Sequence, residues 1–537
     1  VASINGWTLN GIVPCVAVSL IKQLNIINNM CGILGIVGSI DVREFNTCLD
    51  KIKHRGPDES RSASYGPVYM GFNRLVVNGN YTNGKQPFNT EETLYMCNGE
   101  IFNHWELEKE CGYTPEPGAS DCAVLGPLLQ KSKTPSDFFN SLDGEFALMI
   151  VDKVNEKVII GRDPYGVRPL FWGITPNGSY IFSSELKGIS TDCISIHQFN
   201  PGCYMAIDIE GGRGPRMDIY EYYRNFSIPP PTIHESQGVP EKIAELLESA
   251  VKKRLMCDNG GVCSLLSGGL DSSLVSALAN KYSPTPISTF AIGIRGSTDL
   301  QYAQQVADHI GSRHTSVCVD KSIFLSSIEE VIRSIESWDV TTVRASVGNY
   351  LIAKFIKNNT QFKVVLNGDY SDEVTGGYLY MKKAPTYEEF STECRRLVGD
   401  IHFFDSLRSD RSVCAHGLEA RAPFADKEFV EYYLSVDPRI TSPMDKIEKY
   451  MLRMAFAQSG LLPDNVLWRK KEAFSDGVSS PDDSWHNIIK NYIKGDEEDY
   501  YKSIFRKYYP KNELIIPYKW MPRYCNAQDP SARTLST

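Results

Sequence analysis

The sequence has no C-x-x-C pair, no long basic run and no apolar stretch of bilayer length. Its fourteen cysteines are scattered, which excludes a zinc ribbon, argues against a disulfide framework and makes a reducing, cytoplasmic setting the expectation. With a formal charge of −9 and no basic cluster, nothing electrostatic draws the chain to nucleic acid or to an anionic membrane, and neither is expected as a partner. The apolar run near the start, Gly11 to Ile21, is too short to cross a bilayer and lacks the basic segment that precedes a secretory leader. An initial Met is also missing. Residues 1–30 therefore read as upstream sequence absent from the mature protein, with Met30 as initiator and Cys31 exposed by its removal.

What is present points to more than one core, because 537 residues exceed what a single one organises. The chain is organised around VCSLLSGGLDSSLVSAL, Val262 to Leu278, in which Val262 to Leu266 reads as a buried strand and a helix is predicted from about Leu274. Gly268 and Gly269 carry no Cβ, so backbone N–H groups can close on an anion, and Ser267, Ser272 and Ser273 add hydroxyls at a helix start. Asp271 would repel phosphate, and its plausible task is to hold a Mg²⁺ that bridges to phosphate oxygens. No Lys follows the second Gly, so this is not the loop that grips a γ-phosphate. It resembles the SGGxDSS loop of the ATP pyrophosphatases.

Upstream, CGILGIVG reads as a strand led by a thiol. Cys31 has two readings on spacing alone: a packing residue, or a nucleophile whose base is its own α-amine, which titrates near ~8. The motifs that follow are KHRGPD (Lys53 to Asp58), NRLVV (Asn73 to Val77), NGEIFNH (Asn98 to His104), Ser120-Asp121 and GRDPYGVRPLFWG (Gly161 to Gly173). In that order they resemble the N-terminal-nucleophile glutaminase domain of class II amidotransferases. The resemblance implies that Arg74, with Leu75, Val76, Val77 and Asn78, holds glutamine, Arg74 taking its α-carboxylate and Asp121 its α-ammonium. It implies an oxyanion hole from the Asn98 amide and the Gly99 N–H, with Glu100 helping to fix the amino acid. The plain alternatives are a turn at Asn98-Gly99, a surface cation at Arg74 and a helix cap at Asp121. Arg162, Asp163 and Arg168 read as a domain junction. Asp143 to Gly173 alternates in polarity and predicts a hairpin of half-buried strands.

Three consecutive prolines in SIPPPTIHESQGVP, Ser227 to Pro240, mark the boundary. Beyond it, strands alternate with amphipathic helices, which argues for a parallel sheet binding ligands at the carboxyl ends of its strands. Phe362 to Leu366 leads into NGDYSDEVTGGY, where Asp372 offers a second Mg²⁺ carboxylate or a helix cap. With DVTTVRAS, GLEARAPFAD, KIEKYMLRMAF, WRKKEAFSDGV and DPSARTL, the chain from Cys31 onward resembles the glutamine-hydrolysing asparagine synthetases of the B type. The implied fold is an α+β domain of stacked antiparallel sheets flanked by helices (31–226), a linker (227–240), and an α/β domain with a parallel sheet, like the adenine-nucleotide α-hydrolases (241–537). By the same resemblance ATP binds at Leu266, Ser267 to Ser273, Ile292, Asn367 and Gly368. Asp271 and Asp372 hold Mg²⁺, and Arg344 and Lys449 face the phosphates or the acyl-adenylate, although Lys449 also reads as a solvated helix cation. L-glutamine, L-aspartate and ATP are the implied small-molecule partners, and homodimerisation is implied as well.

Two departures touch the chemistry. The family pattern S-G-E-G-S-D-E reads here Asn367-Gly368-Asp369-Tyr370-Ser371-Asp372-Glu373, so Asp369 stands one methylene short of a catalytic Glu and Tyr370 replaces a Gly. A positive φ at Tyr370 would be strained, and a misplacement of order 1 Å at a catalytic group costs ~100-fold in rate. The synthetase half is thus expected to be slow or altered in acceptor. Asn73 and Ala119 also depart from the pattern, away from the thiol chemistry. The alternatives kept open are an amidotransferase or cyclising relative that adenylates another carboxylate, and a weakened homologue that senses nucleotide or glutamine.

Overall fold

The computed structural model describes residues 7–9, 31–189, 192–209, 216–223, 231–471, 477–479, 484–527 and 529–530. Of the expected upstream segment only Trp7–Leu9 falls in that set, and residues 227–230 of the expected linker lie outside it.

Among the described residues the first half is built on two six-stranded antiparallel sheets. One runs in the order β11 (Ser195–Gln198), β9 (Phe171–Ile174), β10 (Tyr180–Ser183), β2 (Gly32–Val37), β4 (Val68–Arg74) and β3 (Glu59–Tyr65). The other runs β13 (Arg216–Glu221), β12 (Cys203–Asp208), β8 (Lys157–Arg162), β7 (Gly144–Asp152), β6 (Thr93–Ile101) and β5 (Phe88–Asn89). Between them Ile33, Met70 and Phe72 meet Leu94, Met96 and Met149. At Gly35 a Cβ would lie 2.2 Å from Met149 Sδ, so Met149 seats against β2 only on a glycine. The outer face of the second sheet packs Phe146, Leu148 and Ile150 on Leu125, Leu128 and Phe139 from helices. This corrects one expectation. β7 and β8 are the predicted hairpin, but they are buried on both faces rather than half-buried, because helices cover the side that alternation assigns to solvent.

The second half has a parallel sheet in the order β16 (Arg313–Val319), β15 (Ser288–Ile294), β14 (Val262–Leu265), β17 (Val364–Leu366), β18 (Glu419–Arg421), with β1 (Trp7–Leu9) antiparallel on the β16 edge. Helices α1 (Val239–Lys253), α2 (Leu270–Tyr282), α3 (Thr298–Ile310), α4 (Val340–Asn359) and α5 (Asp405–Cys414) pack around it. β14 has β15 on one side and β17 on the other, so the strand order reverses there and leaves a crevice beyond its carboxyl end. No helix among the described residues is long and apolar enough to cross a membrane.

The halves meet through buried ion pairs. Arg55 Nη1 lies 2.8 Å from both Glu185 and Asp410, and Arg254 links Glu145 at 2.8 Å to Asp426 at 2.9 Å. Arg168 stands at this junction, donating to the Ala420 carbonyl at 2.9 Å. Arg162 and Asp163, expected there too, hold the loop that meets it, where a Cβ at Gly166 would lie 2.8 Å from His402 Cβ of the second half. Arg162 donates to the carbonyls of Gly166, Arg168 and Phe199, and Asp163 accepts from the N–H groups of Tyr165, Val167 and Arg168.

Candidate active site

In the first half, Cys31 immediately precedes β2, and its thiol faces the backbone of Leu75. The sulfur is 3.6 Å from the Leu75 carbonyl and accepts from the Leu75 N–H at 3.4 Å. Arg55 Nε donates to the Cys31 carbonyl at 3.0 Å. Burial pushes the thiol up to about 12, so at neutral pH it is protonated and needs an adjacent base. Its own nitrogen cannot serve while bonded to Met30.

Arg74 Nη1, Asn78 Oδ1 and both polar atoms of the Asn98 amide are buried without a hydrogen-bond partner among the described residues. Each such orphan costs about 1–3 kcal/mol, and the nearest charge to Arg74 Nη1 is the Glu59 carboxylate at 4.0 Å. Asn98 and Gly99 lie within β6 rather than in a turn, and Gly99 takes φ +155 where a Cβ would sit 2.0 Å from the Glu145 carbonyl. Asp121 is not the helix cap. Ser120 fills that place, accepting from the Cys122 N–H, while the Asp121 carboxylate accepts from the Ile101 N–H at 2.8 Å and the Ser120 hydroxyl at 2.9 Å. Burial pushes Asp121 up. Asn78 donates to Glu100, whose carboxylate lies 3.3 Å from Arg421 of the second half. The second half also clamps the segment Leu75 to Val77: Lys363 Nζ donates to the Val76 carbonyl at 2.9 Å and the Asn259 N–H to that of Val77 at 3.0 Å. Leu75, Val77, Val364 and Cys414 form an apolar seam with Cys31 at its edge.

In the second half a cleft of about 200 Å³ opens at the carboxyl ends of β14, β15 and β17. Leu266, Ser267, Gly269, Asp271, Ser272 and Ile292 line one side, and Asn367, Gly368, Asp369, Asp372 and Lys449 the other. Gly268 and Ser273 stand behind. α2 begins at Leu270, four residues before the predicted Leu274, so Asp271, Ser272 and Ser273 occupy its first turn at the positive end of the dipole. Gly268 has φ +75, and a Cβ there would meet Tyr302 Cβ at 2.4 Å. The hydroxyls of Ser267 and Ser272 are 2.9 Å apart, so the loop is fixed before any ligand arrives.

Lys449 is buried rather than a solvated helix cation. It sits at φ +60 ahead of the helix Tyr450–Phe456, with Nζ 2.6 Å from both Asp271 Oδ2 and Asp372 Oδ1. Lys471 Nζ adds a contact at 2.5 Å to Asp372. Burial alone would push Asp372 up, but these two ammonium groups hold its carboxyl well below the usual carboxylate range. Asp271 and Asp372 would offer the hard oxygen donors that suit Mg²⁺.

Arg344 does not line the cleft. Its guanidinium pairs with Glu497 at 2.9 Å, Asp529 at 2.8 Å and His486 Nδ1 at 2.9 Å, fastening α4 to the C-terminal segments. Thr341 and Ala345, one turn apart, take the cleft face of α4, and Arg344 points about 100° away from its neighbour. Lys471, Ser371 and Arg408 were not singled out from sequence. Lys471 stands in the basic run Arg469-Lys470-Lys471, which was the available signal; Arg408 on α5 has none. Tyr370 does adopt the strained conformation its position demands, φ +76, with its hydroxyl 2.6 Å from Ser406 Oγ.

Residues 30–211 match the model of a glutamine amidotransferase domain, and residues 242–393 and 382–513 that of asparagine synthase. The asparagine synthetase [glutamine-hydrolyzing] of Homo sapiens is 38% identical over 558 aligned residues, covering 94% of this chain and 99% of that protein. Those of Rattus norvegicus and Gallus gallus are each 39% identical over 94% of this chain, and over 99% and 98% of their own lengths.

Proposed function

The chain belongs to the glutamine-hydrolysing asparagine synthetases, and from that membership we propose how its two halves divide the work. The reaction is the ATP-dependent synthesis of L-asparagine from L-aspartate with ammonia taken from L-glutamine. The glutaminase half spans 31–226 and the synthetase half 241–537, joined by the linker 227–240.

In the first half Arg74 Nη1 and Asn78 Oδ1 bind the α-carboxylate and an N–H donor of glutamine, and Asp121 faces its α-ammonium. Removal of residues 1–30 frees the Cys31 amine, which takes the thiol proton. The thiolate attacks the side-chain amide, the Asn98 amide and Gly99 N–H hold the oxyanion, and ammonia leaves a γ-glutamyl thioester that water hydrolyses. In the second half the aspartate β-carboxylate attacks the α-phosphorus of ATP. The α2 start and Lys449 steady the departing pyrophosphate, and ammonia displaces AMP from the β-aspartyl adenylate. Asp271 and Asp372 would hold Mg²⁺, which when bound draws charge from the phosphates. Free cysteines throughout the described residues support a cytoplasmic setting, and a homodimer is the assembly expected of the family.

The observation that carries this reading is the convergence of Asp271 and Asp372 on Lys449 at the end of the parallel sheet. Protein beginning at Cys31, given glutamine, aspartate, ATP and Mg²⁺, should form AMP, pyrophosphate, glutamate and asparagine in equal amounts. A second reading, a carboxylate other than aspartate as acceptor, is favoured by Asp369 and Tyr370 among the residues lining the cleft. Pyrophosphate release that does not depend on aspartate would select it.

A further inference from the structure

The loop Asn367 to Glu373 departs from the family pattern at Asn367, Asp369 and Tyr370, and all three side chains turn to one helix, α5. Asn367 Nδ2 donates to Ser409 Oγ at 2.6 Å, Asp369 Oδ1 accepts from Arg408 Nη2 at 2.7 Å, and the Tyr370 hydroxyl lies 2.6 Å from Ser406 Oγ. Among the described residues, every hydrogen bond these side chains make beyond their own loop ends on α5.

Asn367 links the helix to the acid. While its Nδ2 reaches Ser409, its Oδ1 accepts from the Asp369 N–H at 3.3 Å, so one amide spans from α5 to the backbone of Asp369. A serine in its place ends one bond earlier. Tyr370 needs its anchor for a different reason: it is 3% exposed and holds φ +76, which an L-residue keeps only where its surroundings over-determine it. The helix Ser371–Thr375, which carries Asp372, starts directly after it.

α5 is a fixed support for these contacts. It is buried from Ser406 to Cys414, Asp410 lies 2.8 Å from Arg55 of the first half, and Arg411 pairs with Glu336. We propose that Ser406 and Ser409 are positioning residues of the synthetase site, which with Arg408 hold the altered loop as a unit and set where the Asp369 carboxylate stands. This assignment rests on the cleft being the site of carboxylate activation.

In the full enzyme, kcat and KM for ATP are measured with aspartate and ammonium chloride through AMP and asparagine formation, and Tm reports that each variant is folded. Ser409→Ala lowers kcat about 10-fold with KM for ATP unchanged; Asn367→Ser lowers kcat by a like factor, and the double variant is no worse than either alone. Ser406→Ala and Tyr370→Phe, which each remove one hydroxyl of the other pair, behave in the same way. With the loop changed to the family pattern, Asn367→Ser/Asp369→Glu/Tyr370→Gly, the serines hold nothing, and adding Ser406→Ala and Ser409→Ala leaves kcat where that loop put it. A merely structural role for the serines would lower kcat equally with either loop, and that result overturns the assignment. So do additive losses within a pair, or serine variants with kcat at or above wild type. Wild-type protein that makes no AMP from aspartate contradicts the activity instead. The pairs are then read from Tm: a double variant that loses no more than one single variant supports the assignment, and additive losses overturn it.

Discussion

The Asp369 carboxylate is held by the Arg408 guanidinium, Nη2 to Oδ1, at 2.7 Å. Its other oxygen is buried and unpartnered, at the cleft wall where the family pattern carries a longer acid. Arg408 is itself tied to Asp405 at 3.0 Å, so the short side chain is drawn back toward α5. Asp369→Glu extends the carboxylate past this anchor. The kcat for aspartate-dependent AMP formation is expected to rise, by up to about 100-fold, with glutamine hydrolysis unchanged on the same preparation. A fall in kcat would show that the shorter acid is matched to this cleft.

Asn98 presents an amide with neither polar atom bonded, beside a glycine whose conformation no other residue tolerates. Asn98→Ala should lower kcat for glutamine hydrolysis by about 10²–10³-fold, as loss of one oxyanion donor does, and leave asparagine formation from ammonium chloride intact. Glutamate release and asparagine formation, followed in parallel, check it.

Burial raises the Cys31 thiol to about 12, so with residues 1–30 attached it is protonated at neutral pH and its thiolate grows only as pH rises toward that value. Iodoacetamide labelling of Cys31 should therefore be slow at pH 7 in the longer chain. In protein that begins at Cys31 the free amine accepts the proton, and the labelling rate should gain an inflection near pH ~8. Identical profiles for the two forms would remove the amine from the mechanism.

Lys449 is buried between Asp271 and Asp372, and its loss leaves the two carboxylates with Lys471 as their remaining cation. Lys449→Met should cost about 3–5 kcal/mol in urea unfolding, with part recovered on adding Mg·ATP, which supplies positive charge to the same oxygens. The pH dependence has a definite sign. Asp372 is held below its ordinary value, so its pairing contributes stability above the ordinary carboxylate range, near ~4, and that contribution is lost as pH falls through the lowered value. Wild type should keep it to lower pH than Lys449→Met.

The loop around Asp271, the strand at Cys31 and the alternation of strands and helices were legible because each is local: glycines, serines and apolar runs at short spacing. The α2 start was misplaced because Asp271 and the serines read as loop, whereas they occupy the helix's first turn. Periodicity could not show that β7 and β8 have helices on one face and a sheet on the other. Arg344 sits in a distinctive motif, yet a turn of α4 carries it away from the cleft onto Glu497 and Asp529, residues more than 150 positions distant. Arg408 and Lys471 reach the site from separate parts of the chain, and only the closed fold brings them to Asp369 and Asp372.

The separation of nitrogen release from carboxylate activation is tested most directly by Cys31→Ala in protein otherwise beginning at that position, assayed for asparagine with either glutamine or ammonium chloride as nitrogen source. Formation from ammonium at the wild-type rate with none from glutamine is the predicted result. Retention of glutamine-supported synthesis, or loss of both, would contradict it.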